Sequence, residues 1–86
     1  MLLTVQQRIL LALLKCGPLQ NSYIAKRVGI TEQHCSNVVN QLSIEGLIES
    51  EFKPPRRINK LTNRGVQIAR RLEEISENII DERAKV

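Results

Sequence analysis

Gly17-Pro18, Gly29 and Gly46 cut the first half of the chain into three short stretches, each with its apolar residues at helical spacing, and Pro54-Pro55 divides the second half. Any fold of this chain therefore has to combine three short helices, a turn that cannot be helical, and one long closing segment. Thr4 with Gln7 three residues later is a capping-box pattern opening the first helix, whose inward positions are Val5, Ile9, Leu10, Leu13 and Leu14. Asn21 or Ser22 is expected to cap a second helix with Ile24, Ala25 and Val28 inward, stopped by Gly29. Thr31 caps a third, running to about Glu45 before Gly46. Leu47 to Phe52 alternates as a strand, Lys53 to Arg57 is the turn, and Ile58 to Leu61 returns. Thr62 then caps a fourth helix with no further proline, extending to about Glu82.

The order helix, helix, helix, hairpin, long helix in 86 residues suits one small domain. A domain of this size buries only about 60–65% of its unfolded surface, so its core is thin and a partner subunit would help. Composition removes several function classes. Tyr23 and Phe52 are the only aromatics, which argues against RNA-binding sheets that stack bases on exposed rings. Cys16, Cys35 and His34 are too few for a closed zinc site. No catalytic constellation, metal set, cofactor motif or small-molecule site is evident, and the glycines do not form a phosphate-cradling pattern. The longest apolar run, Ile9 to Leu14, is far short of the ~20 residues of a membrane span. No basic stretch precedes that run, so a reduced, cytoplasmic, soluble protein without a signal peptide is the expectation.

Charge is segregated along the chain. The net charge is +4, but Glu32, Glu45, Glu49 and Glu51 are followed by Lys53, Arg56, Arg57, Lys60, Arg64, Arg70 and Arg71 without an intervening acid. That second block points to a polyanion.

The most specific stretch is Ile24-Ala25-Lys26-Arg27-Val28-Gly29-Ile30-Thr31, followed by Leu42 and Gly46-Leu47-Ile48. Ala25 is small where two helices cross, Gly29 makes the turn between them, and Gly46 frees Leu47 and Ile48 to start a strand. With Lys60-Leu61-Thr62-Asn63-Arg64-Gly65 after the hairpin, the chain resembles the MarR-type and PadR-type winged helix-turn-helix transcriptional regulators over roughly residues 5–72. The resemblance implies a mainly α fold with a small β-hairpin wing and a long C-terminal helix. Residues 1–62 would form the winged-helix DNA-binding part, and 63–86 a dimerisation helix of the same compact unit. It also implies double-stranded DNA as partner, with the third helix in the major groove and the basic wing on phosphate or in the minor groove.

On a helical wheel Cys35, Val39 and Leu42 fall together toward the core. Gln33, Asn37 and Asn40 fall opposite, flanked by His34, Ser36 and Gln41, with Thr31 at the helix start. Asn and Gln pair their hydrogen bonds with adenine edges; a merely solvated polar face is the alternative. The third helix has no Lys or Arg, so attraction to phosphate has to come from Lys26, Arg27, Lys53, Lys60 and the wing-tip Arg56 and Arg57. Ile44 faces outward. Cys35 reads as an inert small core residue rather than a redox sensor, and Tyr23 either packs or bonds a phosphate oxygen.

Ile68, Leu72, Ile75 and Ile79 recur at four, three and four residues, the spacing of a coiled-coil seam and equally of a helix packed on its own domain. Arg64, Arg70 and Arg71 precede Glu77, Asp81 and Glu82, an arrangement that opposes the helix dipole. An antiparallel partner helix would set each basic half beside an acidic one, giving a twofold homodimer. The expectation is a homodimeric transcriptional regulator and not an enzyme. The alternatives are a winged helix used for protein–protein contact and a sequence-neutral architectural protein.

Overall fold

The computed structural model describes residues 3–84, with side chains described up to Ser76. Seven elements succeed one another: α1 (Val5–Cys16), β1 (Leu19–Gln20), α2 (Asn21–Val28), α3 (Glu32–Ile44), β2 (Ile48–Lys53), β3 (Arg56–Leu61) and α4 (Asn63–Ala84). The expected fold class is the observed one.

Local chemistry accounts for most of the boundaries. The Thr4 hydroxyl accepts from the Gln7 amide while the Gln7 side chain accepts from the Thr4 amide, closing the capping box of α1. The α3 cap is Thr31, whose hydroxyl accepts from the His34 amide. Gly29 ends α2 in the left-handed conformation, φ +82°, and its amide donates to the Ala25 carbonyl. The α2 start differs from expectation: its cap position is Gln20, and no side chain caps it. Neither Asn21 nor Ser22, the two expected caps, takes that role, and Asn21 spends its carboxamide on longer-range partners instead.

The sheet has three antiparallel strands in the order β1-β3-β2. The two-residue β1, too short to leave a periodic signal, pairs Leu19 with Asn59 and Gln20 with Ile58. The hairpin is tighter than the sequence implied. Lys53 and Arg56 are still paired, so the turn is reduced to Pro54-Pro55, whose residues have no amide proton for the ladder.

One core joins these elements. Ile9, Leu10 and Leu13 of α1 meet Ile24, Ala25 and Val28 of α2, Cys35, Val38, Val39 and Leu42 of α3, and Leu47 and Ile48 at the start of β2. Ala69 and Leu72 bring α4 into the same cluster. The α4 junction is tied by one side chain. The Thr62 hydroxyl donates to the Gly46 carbonyl (2.7 Å) and accepts from the Gly65 amide (3.1 Å), while the Thr62 amide donates to the Leu47 carbonyl. This clamps the end of α3 and the start of the wing to the first turn of α4. No helix among the described residues is long and apolar enough to cross a membrane.

Candidate nucleic-acid interface

The outward face of α3 is built by its capped start and its buried opposite side. Cys35, Val39 and Leu42 are buried as the helical spacing required, and Val38 joins them. That burial turns Gln33, His34, Asn37, Asn40 and Gln41 to solvent. Gln33 Nε2 donates to Asn37 Oδ1 (3.3 Å), and Gln41 Nε2 to Glu45 Oε1 (3.3 Å), so the amides form a loosely pre-ordered row along the helix. Ile44, 79% exposed, extends the row toward the helix end. Ser36 differs from its neighbours: it is half-buried, and its hydroxyl accepts from Asn21 Nδ2 (3.1 Å). Thr31 is exposed but serves as the cap.

Lys53, Arg56 and Arg57 are exposed at the wing tip, and Lys60 lies nearer the base of β3. Strand alternation divides them between two faces. Glu49 stands directly opposite Lys60, and Glu51, opposite Ile58, is diagonal to both Lys60 and Arg56. The acids of the preceding segment are thus brought onto the same face of the hairpin as these two cations, a proximity that the run of uninterrupted basic residues concealed. Arg57 is on the other face, opposite Phe52 and diagonal to Ser50 and Pro54. Arg57 therefore has no carboxylate among its cross-strand neighbours, and Phe52 beside it is 65% exposed; Lys53 has none either, but it stands directly opposite another cation, Arg56.

The two α2 cations are both exposed, and Arg27 lines a cleft of about 220 Å³ with Arg8, Leu11, Ala12, Lys15 and Val28. That cleft takes no residue from α3 or the wing, so Arg27 is not gathered with the amide face. Arg8 is held there by donating to the Val28 carbonyl at the end of α2.

Sequence reasoning missed Asn21, Ser50 and Asn59. Asn59 was legible in principle: a strand with Arg57, Asn59 and Leu61 on one face puts a polar residue on the inward side. Burial pushes the Cys35 thiol above its ordinary range, with the Glu32 carboxylate adding to the effect. Its Sγ donates to the Asn21 main-chain carbonyl (3.5 Å), in keeping with an inert core thiol. Among the described residues no group of three or more His, Cys, Asp or Glu could hold a metal ion.

An exposed amide-bearing helix beside a basic hairpin is the geometry that a family comparison can test. The model of the winged helix-turn-helix DNA-binding family matches residues 2–49. The chain belongs to that family. Its fold is that of MarR-type transcriptional regulators. A point mutant of Lactococcus lactis ZitR superposes with a TM-score of 0.90 at 20% identity, over 99% of this chain and 60% of that one. The PcaV transcriptional regulator from Streptomyces coelicolor, in complex with its natural ligand, gives 0.81 at 26% identity over 99% and 63%. MepR, a transcription regulator of the Staphylococcus aureus multidrug efflux pump MepA, gives 0.81 at 21% over 95% and 63%. The winged-helix chain thus spans about three-fifths of the length of these structures. A search of curated proteins found no match.

Proposed function

We propose that this winged-helix protein is a sequence-preferring double-stranded DNA-binding protein that acts as a homodimer in transcriptional regulation. In this reading α3 lies in the major groove, with Gln33, Asn37 and Asn40 toward base edges and His34 and Gln41 at the sides. The wing tip reaches backbone or minor groove through Arg57, supported by Lys53 and Arg56, while Lys26 and the α3 start at Thr31 approach the phosphates. The observation that carries the reading is the exposed amide face of α3, free of any cation, set beside a wing whose Arg57 has no acidic cross-strand neighbour. Amides supply discrimination between bases, and the wing supplies attraction that is indifferent to sequence.

The twofold seam has to be narrower than the spacing of its isoleucines and leucine suggests. Leu72 is only 8% exposed and belongs to the protein's own core, with Ile68 packed against that core. Ile75, 43% exposed, is the residue available to a partner helix. The Ile79 side chain lies outside the described residues.

Selection of duplexes from a random pool tests the reading. A preferred sequence should emerge, and Asn37→Ala with Asn40→Ala should lower affinity for it by about 1–3 kcal/mol per lost base contact while affecting random duplex much less. Circular dichroism should remain native because both side chains are exposed. An equal loss on every sequence would favour architectural binding, and a pool that yields no bound duplex would favour a protein partner.

A further inference from the structure

Asn59 is the one fully buried polar side chain among the described residues, and the bonds it starts link four elements. Asn59 Nδ2 donates to the main-chain carbonyl of Leu19 in β1 (3.2 Å) and to Asn21 Oδ1 at the start of α2 (2.6 Å). Its Oδ1 accepts from Ser50 Oγ in β2 (2.7 Å). Asn21 Nδ2 in turn donates to Ser36 Oγ in α3 (3.1 Å). The chain Ser50, Asn59, Asn21, Ser36 therefore runs from the wing to the candidate recognition helix through side chains alone.

Its direction is fixed by one group that cannot be reversed. A main-chain carbonyl only accepts, so the amino group of Asn59 has to face Leu19. The second proton of that amino group then needs an acceptor, which orients the oxygen of Asn21 toward Asn59 and its amino group toward Ser36. Ser36 is left as an acceptor within the protein, with its own hydroxyl proton unspent. At the other end the Ser50 proton is committed to Asn59. Leaving the buried Asn59 amide unpaired is costly, so its orientation is held as firmly as the packing, while the half-buried Asn21 and Ser36 and the exposed Ser50 follow from it.

We propose that Asn59 is a positioning residue for DNA recognition, acting through Asn21 to hold Ser36 as a hydrogen-bond donor to a phosphate oxygen and to fix the wing relative to α3. This rests on the DNA-binding reading above. Phosphate oxygens accept only, which suits a hydroxyl whose lone pair is already occupied. Ser36 also sits half-buried beside α2 rather than on the face of Gln33, Asn37 and Asn40, where base edges would lie. Ser36 thus contributes orientation without sequence information.

Two measurements test this separately. Without DNA, Ser50→Ala should shift the NMR signals of the Asn21 side-chain amide and of Ser36, although Ser50 bonds to neither. With DNA, Ser36→Ala should weaken preferred and random duplexes by the same factor, about fivefold for one hydrogen bond, and Ser36→Thr should restore binding. In the Asn21→Ala background Ser36→Ala should cost less, because the amide that occupies the hydroxyl's lone pair and aims its proton is gone. Asn59→Leu should lower the ratio of preferred to random affinity about tenfold with native circular dichroism; if it does not fold, Ser50→Ala carries the same comparison. Absence of the NMR shift overturns the relay. Additive costs, or a Ser36→Ala loss confined to preferred sequence, overturn the phosphate role. A wild-type protein that binds no duplex overturns the DNA reading and the role of Ser36 with it, while the NMR arm still reports the relay.

Discussion

Gly65 in the first turn of α4 lies so close to the Leu47 carbonyl oxygen that a methyl group on its Cα would overlap that oxygen. The same oxygen receives the Thr62 amide, so it cannot move aside without opening the junction between wing and α4. Gly65→Ala is therefore expected to destabilise the fold by about 3 kcal/mol or more, a large share of the stability of a small domain. Thermal unfolding followed by circular dichroism should show a fall of about 12 °C or more. An unchanged midpoint would mean that the close approach is not maintained in solution.

The two wing-tip arginines should not be equivalent. Glu51 is diagonal to Arg56, whereas Arg57 has Phe52 opposite and no acid beside it. Arg57→Ala is expected to weaken binding to every duplex more than Arg56→Ala. Removing a phosphate contact should lower the slope of log affinity against log salt by about 0.9 per phosphate. Titrations at several salt concentrations check this, and equal effects of the two substitutions would refute the assignment by face.

What could be read from the residues depended on how local the deciding interaction was. Thr4 with Gln7, Thr31 with His34 and Thr62 with Gly65 are bonds over three residues, and the helices they open begin where the pattern indicated. Asn21 has the same local signature as a cap, yet its side chain is taken by Asn59, 38 residues away, and by Ser36. No local pattern contains that competition. β1 was invisible for the same reason, since two residues have no period and owe their strand to β3. On α3, one helix with one buried side made the exposed amides legible. The wing cations were legible as residue types, but the placement of Glu49 and Glu51 near Lys60 and Arg56 depends on cross-strand register.

The buried thiol gives a pH dependence of defined sign. Cys35 has its pKa raised by burial, with Glu32 adding to it. A raised thiol pKa means that the folded state resists ionisation more than the unfolded chain does. The associated stability is therefore complete below the ordinary thiol value of 9.0 and is lost as pH rises through the folded pKa. Urea unfolding should show stability falling in the alkaline range, and Cys35→Ala should remove that part of the fall although it lowers stability overall. In the native protein a thiol reagent should modify exposed Cys16 and spare Cys35 until unfolding. Equal modification rates of the two would contradict the burial.

The isoleucines and leucine on α4 separate a folding role from an assembly role. Leu72 at 8% exposure is shared with the core built on α1, while Ile75 at 43% is only partly covered by the protein itself and is outside that core. Leu72→Asp would bury an unpaired carboxylate, and unfolding or a lowered midpoint is expected. Ile75 is outside the core cluster, so Ile75→Asp should leave circular dichroism native. Its effect should appear in association, because an exposed apolar residue between Arg71 and the acids at 77, 81 and 82 is suited to an antiparallel partner helix of the same sequence. In that pairing each cationic half of α4 lies beside the acidic half of the other, which relieves the unfavourable alignment of charge with the helix dipole. Light scattering should then report a dimer for the wild type and a monomer for Ile75→Asp. DNA affinity should fall in the monomer, since two α3 helices on a twofold axis bind two half-sites at once and one helix cannot. A wild type that remains monomeric in the tens of micromolar would leave Ile75 without a partner of its own kind and overturn the homodimer.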